Sequence, residues 1–159
     1  MNHFCYIGID PAFRERGFCV CIIDEQSTVD FRMFQSFLNF LDWVFEAPSN
    51  SFVCVENSNL QDTTFLMGGS RAKVAKLSRD VGKNQAASQY TYDVCVKIWG
   101  SNALEVSPKQ KGKKWDQKTF IAECDANKHI LLKRRNNQDE RDAYKLALWA
   151  HKLSKKFNQ

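Results

Sequence analysis

Asp10, Glu56, Asp139 and Asp142 are the residues of this chain best placed to do chemistry. Asp10 closes the apolar run Phe4 to Ile9, and Glu56 closes a second run, Phe52 to Val55. Asp139 and Asp142 stand near the start of the last helical pattern. A carboxylate at the end of a buried strand is costly to desolvate unless positive charge meets it. Acids converging from distant parts of a chain point to bound divalent cations and metal-assisted chemistry. The i, i+3 spacing of Asp139 and Asp142 turns both toward one side of a helix. Ala143, next in sequence, is small enough to let that helix pack closely on a sheet. If the helix crosses the ends of the strands carrying Asp10 and Glu56, all four carboxylates meet. Hard oxygen ligands suit magnesium, with manganese as a substitute, rather than zinc. Two such ions about 4 Å apart activate water and stabilise the leaving oxygen in phosphodiester hydrolysis. Without cations, the four carboxylates repel one another and several take up protons.

Each acid has an ordinary explanation when taken alone. Asp10 precedes Pro11 in a turn, while Asp139 and Asp142 suit a helix start, where acids face the positive end of the dipole. Glu140 competes with Asp139 for one helical position, and the i, i+3 relation to Asp142 favours Asp139. The joint pattern, rather than any single residue, carries the expectation of a site.

The basic residues gather late in the chain. Lys109, Lys111, Lys113, Lys114 and Lys118 surround Gly112 and Trp115, a composition suited to gripping phosphates. Lys128, Lys133, Arg134 and Arg135 form a second patch before the last helix, and Arg71, Lys73 and Lys76 a third near the start of a long helix. Trp115 could stack on an unpaired base, but anchoring the next helix is the preferred reading. His3, His129 and His151 are read as strand-start, surface or helix-cap residues with no catalytic part. Lys plus Arg total 23 against 18 for Asp plus Glu, a formal net charge of +5. Basic surface around an acidic centre fits an enzyme that cuts a polyanion.

These residues need a frame to hold them. The 159 residues suit one domain, 1–159, with one core. Strands are expected at about 3–10, 17–24, 28–34, 51–56 and 103–107. A short helix through Leu38, Leu41, Trp43, Val44 and Phe45 ends at Ala47-Pro48. Residues 57–69 read as a loop and 70–99 as a long helix, with Gly82 weakening its continuity. A lysine-rich loop follows the fifth strand, then helices at about 116–127 and 138–155. Ala143, Leu146, Ala147, Ala150 and Leu153 form the apolar stripe of the last helix. The fold class is α/β: a mixed five-stranded sheet, three antiparallel strands first, flanked by helices. Cys5, Cys19, Cys21, Cys54, Cys95 and Cys124 include no Cys-x-x-Cys pair, and most lie in apolar runs. They are read as reduced core residues in a reducing compartment. With no signal peptide and no apolar run near the roughly 20 residues of a membrane span, a cytoplasmic location is expected.

Ile7-Gly8-Ile9-Asp10-Pro11 followed by Gly17-Phe18, then Val55-Glu56, then Asp139-Glu140-Arg141-Asp142-Ala143, resembles the RuvC family of Holliday-junction resolvases. Lys76-Leu77 to Gly82, and Val106-Ser107-Pro108 before the lysines, follow that family's order. The likeness spans nearly the whole chain and is thin between motifs. It implies an RNase H-like fold, a homodimer and paired magnesium-dependent nicks across a four-way DNA junction, in a bacterial or phage-infected cell. Asp10, Glu56, Asp139 and Asp142 match the family's four catalytic acids. The family commonly places an aromatic residue soon after the second acid; here Asn57-Ser58-Asn59-Leu60 stands there, with Phe65 only later. Phe13-Arg14-Glu15-Arg16 lengthens and charges a turn that is often small and polar. These departures suggest a divergent, phage-type member. Two other activities fit the same residues: an RNase H-fold nuclease on RNA–DNA hybrids or other branched nucleic acids, and a catalytically silent nucleic-acid-binding module.

Overall fold

The strands form one twisted sheet in the order β5-β4-β1-β2-β3-β6, in a computed structural model that describes residues 4–11, 17–60, 69–133 and 135–157. Positions 3, 13–16 and 134, and positions 61–68 of the expected loop with Phe65 among them, lie outside the described residues. β1 (Cys5–Asp10), β2 (Phe18–Asp24) and β3 (Thr28–Phe34) run antiparallel in turn, as the short polar connection at 25–27 dictates. β4 (Phe52–Glu56) adds parallel to β1, and β5 (Ala103–Val106) parallel to β4. Parallel neighbours need crossover connections. Helix α1 (Phe37–Glu46) supplies the first and helix α2 (Arg71–Trp99) the second.

Side chains alternate across the sheet with the period of two that strands impose. Ile7, Ile9, Val20, Val53 and Val55 face a core shared with Phe40, Trp43, Cys95 and Trp99 of α1 and α2. Cys19, Cys21, Ile23 and Val29 face the other layer, built by α4 (Gln117–Ala126) and α5 (Gln138–Phe157) through Phe120, Cys124, Ala143 and Tyr144. The central strands are covered on both faces, so β4 reads as a continuous apolar run. All six cysteines are buried and unpaired, and burial holds the Cys54 thiol up at about 12.

α5 packs across β1, β2 and β4, and one glycine sets how closely. A Cβ on Gly8 would stand 2.1 Å from the Ala143 carbonyl oxygen and 2.3 Å from the Ala147 nitrogen. The helix backbone rests directly on the strand, with small Ala143 and Ala147, both fully buried, at the contact. Of the expected stripe of α5, Ala143, Leu146, Ala147 and Ala150 are buried and Leu153 is half-buried, while Tyr144 and Leu148 widen the buried face beyond it.

Three details differ from the sequence reading. A sixth strand, β6 (Ile130–Leu131), pairs parallel with β3 at the sheet edge. It has two residues, too few to show a period. The lysine-rich stretch opens as a helical turn, α3 (Pro108–Lys111). Gly82 leaves α2 unbroken over its 29 residues. At about 1 kcal/mol, one exposed glycine is a small cost for so long a helix. Among the described residues no helix is long and apolar enough to cross a membrane.

Candidate active site

Register places the first two acids. Ile9 and Val55 are partners in the parallel pair β1–β4, so Asp10 and Glu56 follow one step further at the same edge, on strands about 4.8 Å apart. The next residue, Asn57, is buried and fastens this end of the sheet. Its Nδ2 donates to Glu105 Oε2 at 2.6 Å, and its Oδ1 accepts from the Asn59 backbone and side chain at 3.0 and 2.9 Å. Asn59 Nδ2 in turn donates to the Gln85 carbonyl at 2.8 Å, tying the segment after β4 to α2.

The start of α5 places the other two. Asn137 Oδ1 accepts from the Glu140 nitrogen at 2.9 Å, while Glu140 Oε2 accepts from the Asn137 nitrogen at 2.9 Å. This reciprocal pair is a capping box. Glu140 also meets Asn136 Nδ2 at 3.2 Å and Lys133 Nζ at 3.0 Å. Glu140 is therefore engaged at the helix start, and Asp139 and Asp142 face the cleft. Asp10, Glu56, Asp139 and Asp142 all line one open cleft of about 640 Å³, with Ser58, and Asn84 and Ser88 of α2, also in its wall.

Lys111 stands among these acids. α3 begins with its own capping box: Ser107 Oγ accepts from the Gln110 nitrogen at 3.1 Å, and Gln110 Oε1 from the Ser107 nitrogen at 2.8 Å. Pro108 occupies the first turn, where its missing N–H costs nothing. This turn carries Lys111 inward until its side chain is only 9% exposed. Its ammonium pairs with Glu56 Oε2 and lies 3.2 Å from Asp142 Oδ2. Burial alone would pull the Lys111 pKa down; Asp10, Glu56 and Asp142 outweigh it and hold the ammonium charged. Burial, reinforced by Glu56, Asp142 and Asp139 against the opposing pull of Lys111, raises the Asp10 carboxyl to about 7.

Among the described residues no three His, Cys, Asp or Glu side chains form a metal-ligating array. The carboxylates of Glu56 and Asp142 close on an ammonium instead. The donor set nevertheless fits a hard divalent cation: all carboxylate oxygens, on one open cleft, already meeting a positive charge.

The expected basic residues divide. Lys111 and Lys114 line the cleft. Lys109, Lys113, Lys118 and Arg135 are exposed, as are Arg71, Lys73 and Lys76 on the first turns of α2; Arg134 lies outside the described residues. The loop after α3 is fixed from α5. Lys145 Nζ donates to the Lys113 carbonyl at 2.5 Å and sits 4.8 Å from the centre of the Trp115 ring. Arg141 Nε donates to the Trp115 carbonyl at 3.0 Å. Trp115 is thus half-buried between α4 and α5 and packs near Tyr144, in keeping with its reading as an anchor. His129 corrects its expectation as a surface or cap residue: it is buried, with Nδ1 2.8 Å from the Tyr144 hydroxyl. His151, half-buried, packs on the Tyr6 ring.

Lys111 was legible only as one of five neighbouring lysines; Ser107-x-x-Gln110 is the signal that would have revealed the turn aiming it inward. Asn137-x-x-Glu140 is the equivalent signal for separating Glu140 from Asp139. Asn84, Ser88 and Ser58 carried no sequence signal.

No protein-family model matches the chain, and no curated protein matches it in sequence. Among solved structures it is similar to the RuvC protein of T. thermophilus, solved in complex with a Holliday-junction substrate. The superposition has a TM-score of 0.56 at 13% identity, covering 99% of this chain and 96% of that one. The chain has the RuvC-like form of the RNase H-like fold, a mixed sheet of six strands rather than five.

Proposed function

We propose that this chain is a magnesium-dependent endonuclease that resolves four-way DNA junctions as a homodimer. The observation that carries the reading is the meeting of four acids, from two strand ends and the first turns of α5, on one open cleft of a RuvC-like fold. Asp10, Glu56, Asp139 and Asp142 would hold the ions. Bound there, divalent cations supply charge to activate a water and stabilise the leaving oxygen.

The chain's own groups do the rest. Lys114 at the cleft and the exposed Lys109, Lys113 and Lys118 offer ammonium groups to the phosphate backbone. Lys145 and Arg141 hold the loop that carries Lys113 and Lys114 against the helix that carries two of the acids. Gln138 Nε2 donates to Asp142 Oδ1 at 2.8 Å and orients that carboxylate. Arg71, Lys73, Lys76 and Arg135 extend positive charge for longer-range DNA contact. Two cuts related by two-fold symmetry call for two copies of the site, which a C2 dimer supplies. α2 is the candidate interface: Leu77 and Tyr90 are exposed on it, and its buried residues begin only at Ala87.

A denaturing-gel map of nicks on a mobile four-way junction tests the proposal. Symmetric nicks near the crossover, dependent on magnesium and lost in Asp10→Asn while junction binding persists, are expected. Equal cutting of a linear RNA–DNA hybrid would reject junction selectivity. Unchanged nicking by Asp10→Asn would reject the metal site.

A further inference from the structure

Lys111 is unlike the other lysines near the cleft. Lys109, Lys113 and Lys114 are exposed, free to meet a phosphate from solvent. Lys111 is nearly enclosed, and its ammonium pairs with Glu56 and lies 3.2 Å from Asp142. It therefore fills the position a cation would take between two of the ligands assigned above. A lysine is a compact point charge on a flexible stem, able to withdraw without unfolding its helix. α3 is anchored at its first residue by the Ser107 capping box and ends at an exposed Gly112 with φ +79°.

We propose that Lys111 is a built-in competitor of the divalent cations: its ammonium holds Glu56 and Asp142 together in the metal-free protein and has to leave before the ions load. The inference rests on the metal-dependent reading above. Its physical basis is electrostatic. A divalent ion placed among these carboxylates with Lys111 still between them would face a like charge at close range, in a setting that water screens poorly. Without either cation, the carboxylates would face one another across the cleft uncompensated. Ammonium and metal therefore exclude each other, and loading frees a lysine at the wall of the cleft that a phosphate enters. A lysine that only gripped phosphate would weaken DNA binding on removal and leave metal affinity untouched.

The test is a Mn2+ titration of the DNA-free protein, reading unbound Mn2+ by electron paramagnetic resonance, on wild type, Lys111→Met, Lys111→Arg and Asp10→Asn. Lys111→Met is expected to bind Mn2+ about tenfold more tightly or better, Lys111→Arg like wild type, and Asp10→Asn more weakly. Equal or weaker binding by Lys111→Met, in a wild type that does bind Mn2+, overturns the competitor and leaves the metal site standing. Failure of wild type and Lys111→Met alike to bind overturns both. A second measurement covers folding. In EDTA, Lys111→Met is expected to melt below wild type and to regain more from Mn2+ than wild type does. If it is unfolded in EDTA, refolding with Mn2+ supports the proposal, and a chain that stays unfolded at saturating Mn2+ overturns it.

Discussion

Burial among three other carboxylates moves the Asp10 titration to about 7, from an ordinary value of about 3.9 in an unfolded chain. Between those values the metal-free folded protein holds a proton that the unfolded chain has released. The Asp10 contribution to stability is therefore whole below about pH 4 and is lost as pH rises through about 7. Thermal melts in EDTA at pH 5 and pH 8 read this directly. Wild type is expected to lose stability relative to Asp10→Asn between them, and a gain would contradict the burial of that carboxyl beside Glu56, Asp139 and Asp142. Metal ligation needs the deprotonated form, so nicking should rise over the same interval. Asp139 and Glu140 make a second contrast. Glu140→Ala removes the capping box and should lower stability by about 2 kcal/mol while the folded fraction still nicks; Asp139→Asn should do the reverse. Melting midpoints and nicking per folded molecule separate the two. The four acids were legible because each ends an apolar run or opens a helical one. The partner that neutralises two of them was not, because only the folded chain selects Lys111 from five neighbouring lysines.

The contact of β1 with α5 is the element-scale feature on which the site depends, since those two elements carry three of the four acids. Gly8→Ala pushes a methyl into the backbone of Ala143 and Ala147, neither of which can yield as a flexible side chain would. It is expected to cost about 3 kcal/mol or more and to spoil nicking as the helix lifts from the strand. Gly82 supplies the opposite case. It is exposed in the middle of α2 with nothing within 4 Å of its added Cβ. Gly82→Ala should stabilise by about 0.5–1 kcal/mol. Urea midpoints of the two variants should move in opposite directions, and a shared direction would contradict the packing described for one of them. Apolar runs revealed β1 to β5, near-continuous in β1, β2 and β4 because those strands are buried on both faces, and the stripe revealed α5, because burial on one helix face writes a period into the chain. β6 wrote none, having only Ile130 and Leu131. α3 was masked by its lysines, although its capping residues were in plain view.

At the scale of the whole molecule, the order β5-β4-β1-β2-β3-β6 gathers the carboxylates at one end of the sheet, while the formal charge of the chain is +5. Acidic centre and basic surroundings were readable from sequence, as was the antiparallel start of the sheet. The proposed pairing of two copies would depend on surfaces that no intrachain pattern records. If paired nicks come from a dimer built on α2, introducing charge at Leu77, 44% exposed there, should separate the copies without disturbing either cleft. Leu77→Glu is expected to leave the circular dichroism and Mn2+ affinity of wild type intact and to lower the solution mass to that of one chain. A supercoiled plasmid that extrudes a cruciform then reports the consequence. Wild type, cutting both strands within one binding event, should yield linear product; the variant, visiting one strand at a time, should accumulate nicked circles. Linear product from a demonstrably monomeric variant would show that α2 does not couple the cuts. A variant that remains dimeric, with wild-type products, would move the interface to another face.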